Sequence, residues 1–131
     1  MFWYRSRPRV AQALVEFALV VPLVISLTLG VLQVVLYAHA RDVVTSAAQE
    51  AARLSAEDGR GLDEGYARAR ALLTAGLGTS LQPVSVSGAM DADVVRMRID
   101  AGLQPILPLG TSLPLHVEAW VTRERFRPGG R

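Results

Sequence analysis

The side chains that could carry out catalysis are few in this sequence, and they lie far apart along the chain. The two histidines are His39 and His116, and neither belongs to a His-x-x-x-His pattern. The chain has no cysteine, which excludes thiol nucleophiles, disulfides and cysteine-ligated zinc. It also has no lysine, which excludes a Schiff base and a phosphate-loop lysine. We therefore predict that the protein is not an enzyme and uses no cofactor.

Two further patterns could bind a ligand, but ordinary structure explains each of them. Asp91 and Asp93 could contact a cation, yet acidic residues are common in turns for conformational reasons, and we predict no metal site there. The sequence Gly76-Leu77-Gly78 follows a helical pattern rather than a strand. We interpret it as a helix stop and not as a nucleotide-binding loop.

Basic residues cluster near the C-terminus, where three arginines are spaced two residues apart. These are Arg123, Arg125 and Arg127. They could form a basic strip that binds phosphates or acidic polymers, but a solvated tail is the interpretation that the sequence favours. The net charge of +2 is too balanced to indicate a nucleic acid as partner.

The most unusual ionisable residue is Glu16, which stands directly before a long apolar stretch. Residues 17–38 are 22 positions without a charged side chain. As a helix they would extend for about 30 Å, the thickness of the hydrocarbon core of a bilayer, and we predict a transmembrane span over about 17–38. A carboxylate at this place either reaches back to the headgroups or has a partner. The residues alone leave both interpretations open.

Positive residues are distributed unequally around the predicted span. Three precede it, Arg5, Arg7 and Arg9, and two follow it within about 20 residues, Arg41 and Arg53. Because positive residues next to a span tend to stay in the cytoplasm, we predict a cytoplasmic N-terminus and an extracytoplasmic C-terminal domain. Residues 1–11 then form a basic cytoplasmic leader of a single-pass membrane protein.

The helical pattern continues beyond the span without a break, since residues 31–57 contain no glycine or proline. We therefore predict one continuous helix over residues 12–57. Its outer part carries a narrow, alanine-rich apolar stripe at helical spacing. We assign helix packing to five residues of this stripe: Ala40, Val44, Ala47, Ala48 and Ala51. The stripe could pack on the chain's own domain alone or also on neighbouring copies.

Residues 58–131 are predicted to form a small extracytoplasmic α+β domain. The glycine-rich segment 58–65 predicts a loop, and Asp63 is placed to cap a short second helix that ends near Ala75. Gly76 and Gly78 supply the stop of that helix.

From Leu81 onward the apolar residues alternate with polar ones, which predicts a small three-stranded antiparallel sheet. The alternating residues are Val84 and Val86, then Val95, Met97 and Ile99, then Leu115, Val117, Ala119 and Val121. We expect a hairpin turn at residues 88–93 between the first two strands. The proline-rich residues 102–114 predict an irregular loop before the third strand.

The start of the apolar helix resembles a known family. The run Ala11-Gln12-Ala13-Leu14-Val15-Glu16-Phe17, preceded by arginines and followed by the long apolar helix, is similar to the N-terminus of the TadE-like pseudopilins. These are minor pilins of the tight-adherence (Flp) branch of the type IV pilus systems. The resemblance continues through residues 47–53, which are similar to the alanine-rich segment that follows the span in that family.

The resemblance implies a pilin-like fold and a role in assembling a Flp-type pilus or a related secretion machine in the bacterial cytoplasmic membrane. It implies cleavage by a prepilin peptidase between Ala11 and Gln12, although the family usually has glycine where Ala11 stands. Glu16 then becomes the fifth residue of the mature chain, and with Phe17 it is assigned to assembly. The implied partners are the peptidase, other pilin subunits and the assembly machinery.

Two other interpretations of the sequence remain. The first is a single-pass anchor that carries an extracytoplasmic binding domain and is neither cleaved nor polymerised. The second is a signal peptide with a secreted product, since Ala38-His39-Ala40 is an A-x-A cleavage pattern. Signal peptides have apolar regions of about 7–15 residues, shorter than residues 17–38, and the helical periodicity runs through the A-x-A site.

Overall fold

The computed structural model describes residues 7–108 and 110–123. Two helices, α1 (Arg7–Ala56) and α2 (Leu62–Leu77), are followed by a short 3₁₀ turn at Gly78–Ser80. Three strands follow in the described part of the chain: β1 (Leu81–Met90), β2 (Val94–Leu103) and β3 (Leu113–Thr122). The predicted α+β architecture, with a long N-terminal helix, a short second helix and a three-stranded antiparallel sheet, is confirmed.

Helix α1 has 50 residues and is therefore about 75 Å long. It runs through Pro22 without a break. Two hydroxyl groups in its apolar part bond back to the helix itself: Ser26 donates to the carbonyl oxygen of Pro22 over 2.7 Å, and Thr28 to that of Val24 over 2.8 Å. These polar side chains are thus compatible with an apolar environment, because their donors are satisfied within the helix.

The sheet has the strand order β1-β2-β3 and is antiparallel throughout. In the centre of the register, Ile99 of β2 lies opposite Val86 of β1 and Val117 of β3. The predicted apolar face of β2 is the centre of the core, since Val95, Met97 and Ile99 are fully buried. The two helices cover this face of the sheet, and the other face is open to solvent.

Helix α2 lies very close to α1, and Gly65 makes this possible. A Cβ atom at Gly65 would overlap the Ser55 hydroxyl and would lie 2.9 Å from both the Ala51 carbonyl oxygen and the Met97 methyl carbon. Ala69 and Leu73 of α2 are also buried against the core. Small residues on both helices therefore set the distance between them.

Two details of the predicted helix α2 were wrong. Asp63 does not cap the helix, because the helix begins at Leu62 and Gly61 stands at the N-cap without a side-chain bond. Asp63 lies instead in the first turn, where a carboxylate still interacts favourably with the helix dipole. Gly76 does not stop the helix, which continues to Leu77, whereas the predicted stop at Gly78, with φ 54°, is confirmed.

The turn between β1 and β2 is shorter than the predicted residues 88–93. It consists of residues 91–93, because β1 continues to Met90. The amide of Asp91 donates to the carbonyl oxygen of Val94 over 2.9 Å and closes the turn. Gly88 is a strand residue opposite Met97, not a turn residue. A Cβ at Gly88 would lie 2.9 Å from the Arg96 carbonyl oxygen and 3.3 Å from the Tyr66 ring, so glycine serves close packing here.

The irregular loop between β2 and β3 is shorter than residues 102–114, because both strands extend into that range. β2 ends at Leu103 and β3 begins at Leu113. Residues 1–6 of the predicted leader and residues 124–131 of the predicted tail lie outside the described residues. Arg5, Arg125 and Arg127 therefore lie outside the described part of the chain.

Candidate functional site

The N-terminal half of α1 exposes a continuous apolar surface. Leu19, Leu23 and Leu27 are 70–71% exposed, and most other large apolar side chains from Val10 to Leu36 are exposed as well, whereas Val21 and Leu29 are half-buried. The most apolar 18-residue window of this helix is 6% buried, and its length and composition suffice to cross a membrane. A helix in the core of a soluble protein would instead be largely covered by its own domain. This half of α1 therefore needs lipid or other helices around it.

The four residues of the predicted cleavage and assembly motif lie in the first three turns of this exposed part. Ala11, Gln12, Glu16 and Phe17 all belong to α1 and are all exposed. Gln12 and Glu16 are four residues apart, so they lie on the same face of the helix, one turn from each other. Among the side chains that the structure describes, Glu16 forms no ion pair. Its carboxylate is accessible to another molecule.

The C-terminal half of α1, unlike the N-terminal half, is buried on one face. The five residues assigned to helix packing, Ala40, Val44, Ala47, Ala48 and Ala51, are all fully buried. They contribute to one core with α2, β2 and β3 of the same chain. A contact between α1 and another copy would therefore use other faces of the helix.

A polar cluster on the open face of the sheet was not predicted from the sequence. Asp100 accepts a hydrogen bond from Nδ1 of His116 over 2.6 Å and another from Nε of Arg98 over 2.9 Å. These two bonds, with that from His116 the stronger influence, hold the pKa of the Asp100 carboxyl below its usual range. His116 lies on the solvent-facing side of its strand, as the alternation predicts. The pairing itself depends on the β2–β3 register, in which Asp100 and His116 are direct partners.

The open face also carries a shallow depression lined by Val94, Arg96, Glu118 and Trp120. Trp120 is 70% exposed and lies opposite Arg96 in the register. The depression has neither a buried polar group nor a cluster of ionisable groups that would perform chemistry.

No metal centre is formed in the part of the chain that the structure describes. Among those residues, no group of three or more histidine, aspartate or glutamate side chains is close enough to hold an ion. Asp91 and Asp93 lie in the hairpin turn, where the Asp93 carbonyl oxygen accepts a hydrogen bond from the Arg123 amide over 2.8 Å.

These features define a class of protein: one N-terminal helix that can span a membrane, continued without a break into a small α+β domain. The family model of the TadE-like proteins matches residues 11–53. This match begins at Ala11 of the N-terminal motif and ends at Arg53 of the alanine-rich segment, and it confirms the resemblance to the TadE-like family. No curated protein and no solved structure gives a match.

Proposed function

We propose that the protein is a minor pilin, or pseudopilin, that assembles into or primes a Flp (Tad) pilus or a related secretion machine. The observation that carries this proposal is the coincidence of the family match with helix α1. The match covers residues 11–53, and α1 runs from Arg7 to Ala56. The matched segment thus contains both the exposed apolar half and the half that is packed on the domain.

The exposed apolar half of α1 would act twice in this function. In the membrane, its surface is covered by lipid, and the small domain stands outside the cytoplasm. On assembly, the same surface is covered by the corresponding helices of other subunits, so that one apolar surface serves both states. Charged side chains would oppose both environments, and residues 17–38 contain none.

Glu16 would direct the assembly step. Cleavage after Ala11 creates an α-ammonium group at Gln12, and the Glu16 carboxylate of one subunit would pair with the Gln12 ammonium of its neighbour. Each charge alone is expensive in an apolar environment, and the pair offsets part of both desolvation costs. The pairing would also set the axial register between subunits.

The proposed cleavage requires a local change in structure. The bond between Ala11 and Gln12 lies inside α1, which begins at Arg7. The peptidase would therefore act on a first turn and a half that is unwound, and the side chains of residues 9–12 are exposed rather than held by the domain. Alanine at position 11 is small, as is the glycine that the family usually has.

The position of the A-x-A pattern in the structure is relevant to the alternative interpretation as a secreted protein. The A-x-A pattern at Ala38-His39-Ala40 lies inside the continuous helix α1, and Ala40 is fully buried in the core. Cleavage after Ala40 would separate the first residue of the packing stripe from the rest. The uncleaved anchor with a binding domain differs from our proposal in the fate of residues 1–11 and in the absence of assembly.

The test is the N-terminal sequence and intact mass of the protein isolated from its native membrane. A chain that begins at Gln12 supports the proposal, because it demonstrates processing at the predicted bond. A chain that begins at Met1 contradicts processing and leaves either the uncleaved anchor or a pilin-like protein that escapes cleavage at Ala11. A chain that begins at Arg41 contradicts the proposal and supports a secreted protein.

A further inference from the structure

The loop between β2 and β3 is unusually apolar for an exposed connection. Residues 101–115 contain no charged side chain, and the loop carries Ile106, Leu107 and Pro108 in succession. Ile106 is 45% exposed, Leu107 is partly covered and Pro108 is exposed. Connections on the surface of a soluble domain are usually polar, so this composition needs a physical explanation.

The loop is tied to α1 inside the apolar stretch of that helix. The amide of Ile106 donates a hydrogen bond to Oε1 of Gln33 over 2.7 Å. One turn further along, the hydroxyl of Tyr37 donates to the carbonyl oxygen of Pro114 over 3.0 Å. Both helix residues lie within residues 17–38. The domain therefore reaches past the end of the charge-free segment and lies beside its last turn and a half.

This position decides where the bilayer can end along α1. If the hydrocarbon extended to Ala38, the loop backbone near Gln33 would lie about 7.5 Å inside it at 1.5 Å per residue. Irregular backbone that is exposed to lipid does not occur at such depth, because its polar groups find no water there. Gln104, Ile106 and Pro108 are all exposed, so the chain's own domain leaves one side of the loop uncovered. The hydrocarbon must then end near Gln33.

We propose that residues 105–108 form a second membrane contact, which lies in the interfacial region of the bilayer beside the exit point of α1. The partner is a phospholipid surface: the apolar side chains enter the headgroup and upper acyl-chain region, and the backbone stays where water and ester carbonyls accept hydrogen bonds. On α1, Val34 and Leu36 are exposed at the level of Gln33, to which the loop is bonded. Exposed, uncharged side chains of α1 and of the loop therefore lie at a similar level along the helix.

The position of the hydrocarbon edge near Gln33 also determines the depth of Glu16 at the other end of the span. If the hydrocarbon ends near Gln33, then about 30 Å counted back along α1 reaches Ala13. Glu16 then lies about one turn inside the hydrocarbon rather than at its edge. A carboxylate at that depth benefits more from a partner, which is consistent with the pairing described under the proposed function.

The inference rests on the membrane span of the proposed function, and the test separates the two. Because the chain has no cysteine, single cysteines can be placed in the full-length protein and labelled with an environment-sensitive nitrobenzoxadiazole dye. Ile106→Cys reports on the loop, Leu27→Cys on the middle of the span, and Ser87→Cys on the open face of β1. Each labelled protein is reconstituted in phosphatidylcholine vesicles that carry nitroxide groups at carbon 5 or carbon 12 of the acyl chain.

We expect the label at position 106 to be quenched at least twofold more by the shallow nitroxide than by the deep one. The label at position 27 should show the reverse order, and the label at position 87 should not be quenched. Absence of quenching at position 106, with normal quenching at position 27, would overturn the loop contact and leave the span intact. Absence of quenching at position 27 would overturn the span and the proposed function with it. Stronger quenching of position 106 by the deep nitroxide would contradict an interfacial location.

Discussion

Tyr37 of α1 and Pro114 of β3, 77 residues apart in the sequence, are joined by a hydrogen bond of 3.0 Å from the tyrosine hydroxyl to the proline carbonyl oxygen. The bond lies at the level where the apolar half of α1 meets the domain. Together with the bond between Gln33 and the Ile106 amide, it fixes the β2–β3 loop on the helix. The domain is thus attached along α1 from Gln33 onward.

The first prediction concerns this attachment. Tyr37→Phe keeps the ring that packs on the core but removes the hydroxyl donor. We expect the free energy of unfolding to fall by about 0.5–1.5 kcal/mol, the usual contribution of one such bond. Urea denaturation of the full chain in detergent measures the loss, and hydrogen exchange followed by mass spectrometry should show faster exchange at the start of β3.

Tyr66→Phe is the matched control for this substitution. Its hydroxyl donates to the Gly88 carbonyl oxygen over 3.4 Å, a longer bond that is expected to contribute less. If Tyr66→Phe destabilises the protein as much as Tyr37→Phe, or speeds exchange at the start of β3 equally, the attachment at Tyr37 has no special role.

The second prediction tests the close approach of the two helices. Gly65→Ala places a methyl group where the Ser55 hydroxyl, the Ala51 carbonyl oxygen and the Met97 side chain already lie. We expect a loss of about 1–3 kcal/mol, typical of overpacking, visible as a lower urea midpoint. Gly30→Ala is the control, because Gly30 lies inside helix α1 and a Cβ there would contact no other part of the chain within 4 Å. Equal stability of the Gly65 variant and the wild type would show that the helices separate at little cost.

The third prediction concerns pH and the pair of Asp100 and His116. The folded state lowers the pKa of Asp100, so it stabilises the carboxylate form relative to the unfolded chain, where the value is about 3.9. This stabilisation is complete above about pH 5 and disappears as the pH falls through the lowered pKa of the folded state. Wild-type stability should therefore fall more between pH 5 and pH 2.5 than that of Asp100→Asn, as measured by urea midpoints. Parallel curves for the two proteins would contradict this role of Asp100.

Periodicity was sufficient to predict much of this fold. The alternation of Val95, Met97 and Ile99 located the buried face of β2, and the spacing from Ala40 to Ala51 located the buried stripe of α1. The turn predicted at Gly88 and the helix stop predicted at Gly76 were wrong, because both glycines were explained by the backbone freedom that turns and helix ends require. Their actual requirement is close packing, against the Arg96 carbonyl oxygen in one case and Val43 in the other. Such contacts depend on tertiary structure, which local sequence does not specify.

The candidate site likewise contains one feature that local sequence predicts and others that depend on the folded structure. The N-terminal motif with Glu16 could be found from the sequence, since it consists of adjacent residues before an apolar run. The pairing of Asp100 with His116 depends on strand register, and the bond from Ile106 to Gln33 joins residues 73 positions apart. Gln33 in particular is a polar residue within an apolar segment, and its local sequence does not indicate a partner. Its role in holding a loop follows only from the position of the folded domain.

The last prediction tests the proposed role of Glu16 in assembly. Glu16→Ala removes a charge from the apolar half of α1, so membrane insertion should be unchanged or improved. Incorporation into the pilus or secretion assembly should be lost, because the Gln12 ammonium of the neighbouring subunit then has no partner. Thr28→Ala is the control in the same exposed half, since the Thr28 hydroxyl bonds to Val24 of its own helix and is not needed by a neighbour. Membrane fractionation measures insertion, and the amount of each variant in sheared surface filaments measures incorporation. Normal amounts of Glu16→Ala in the filaments would show that the carboxylate does not direct assembly.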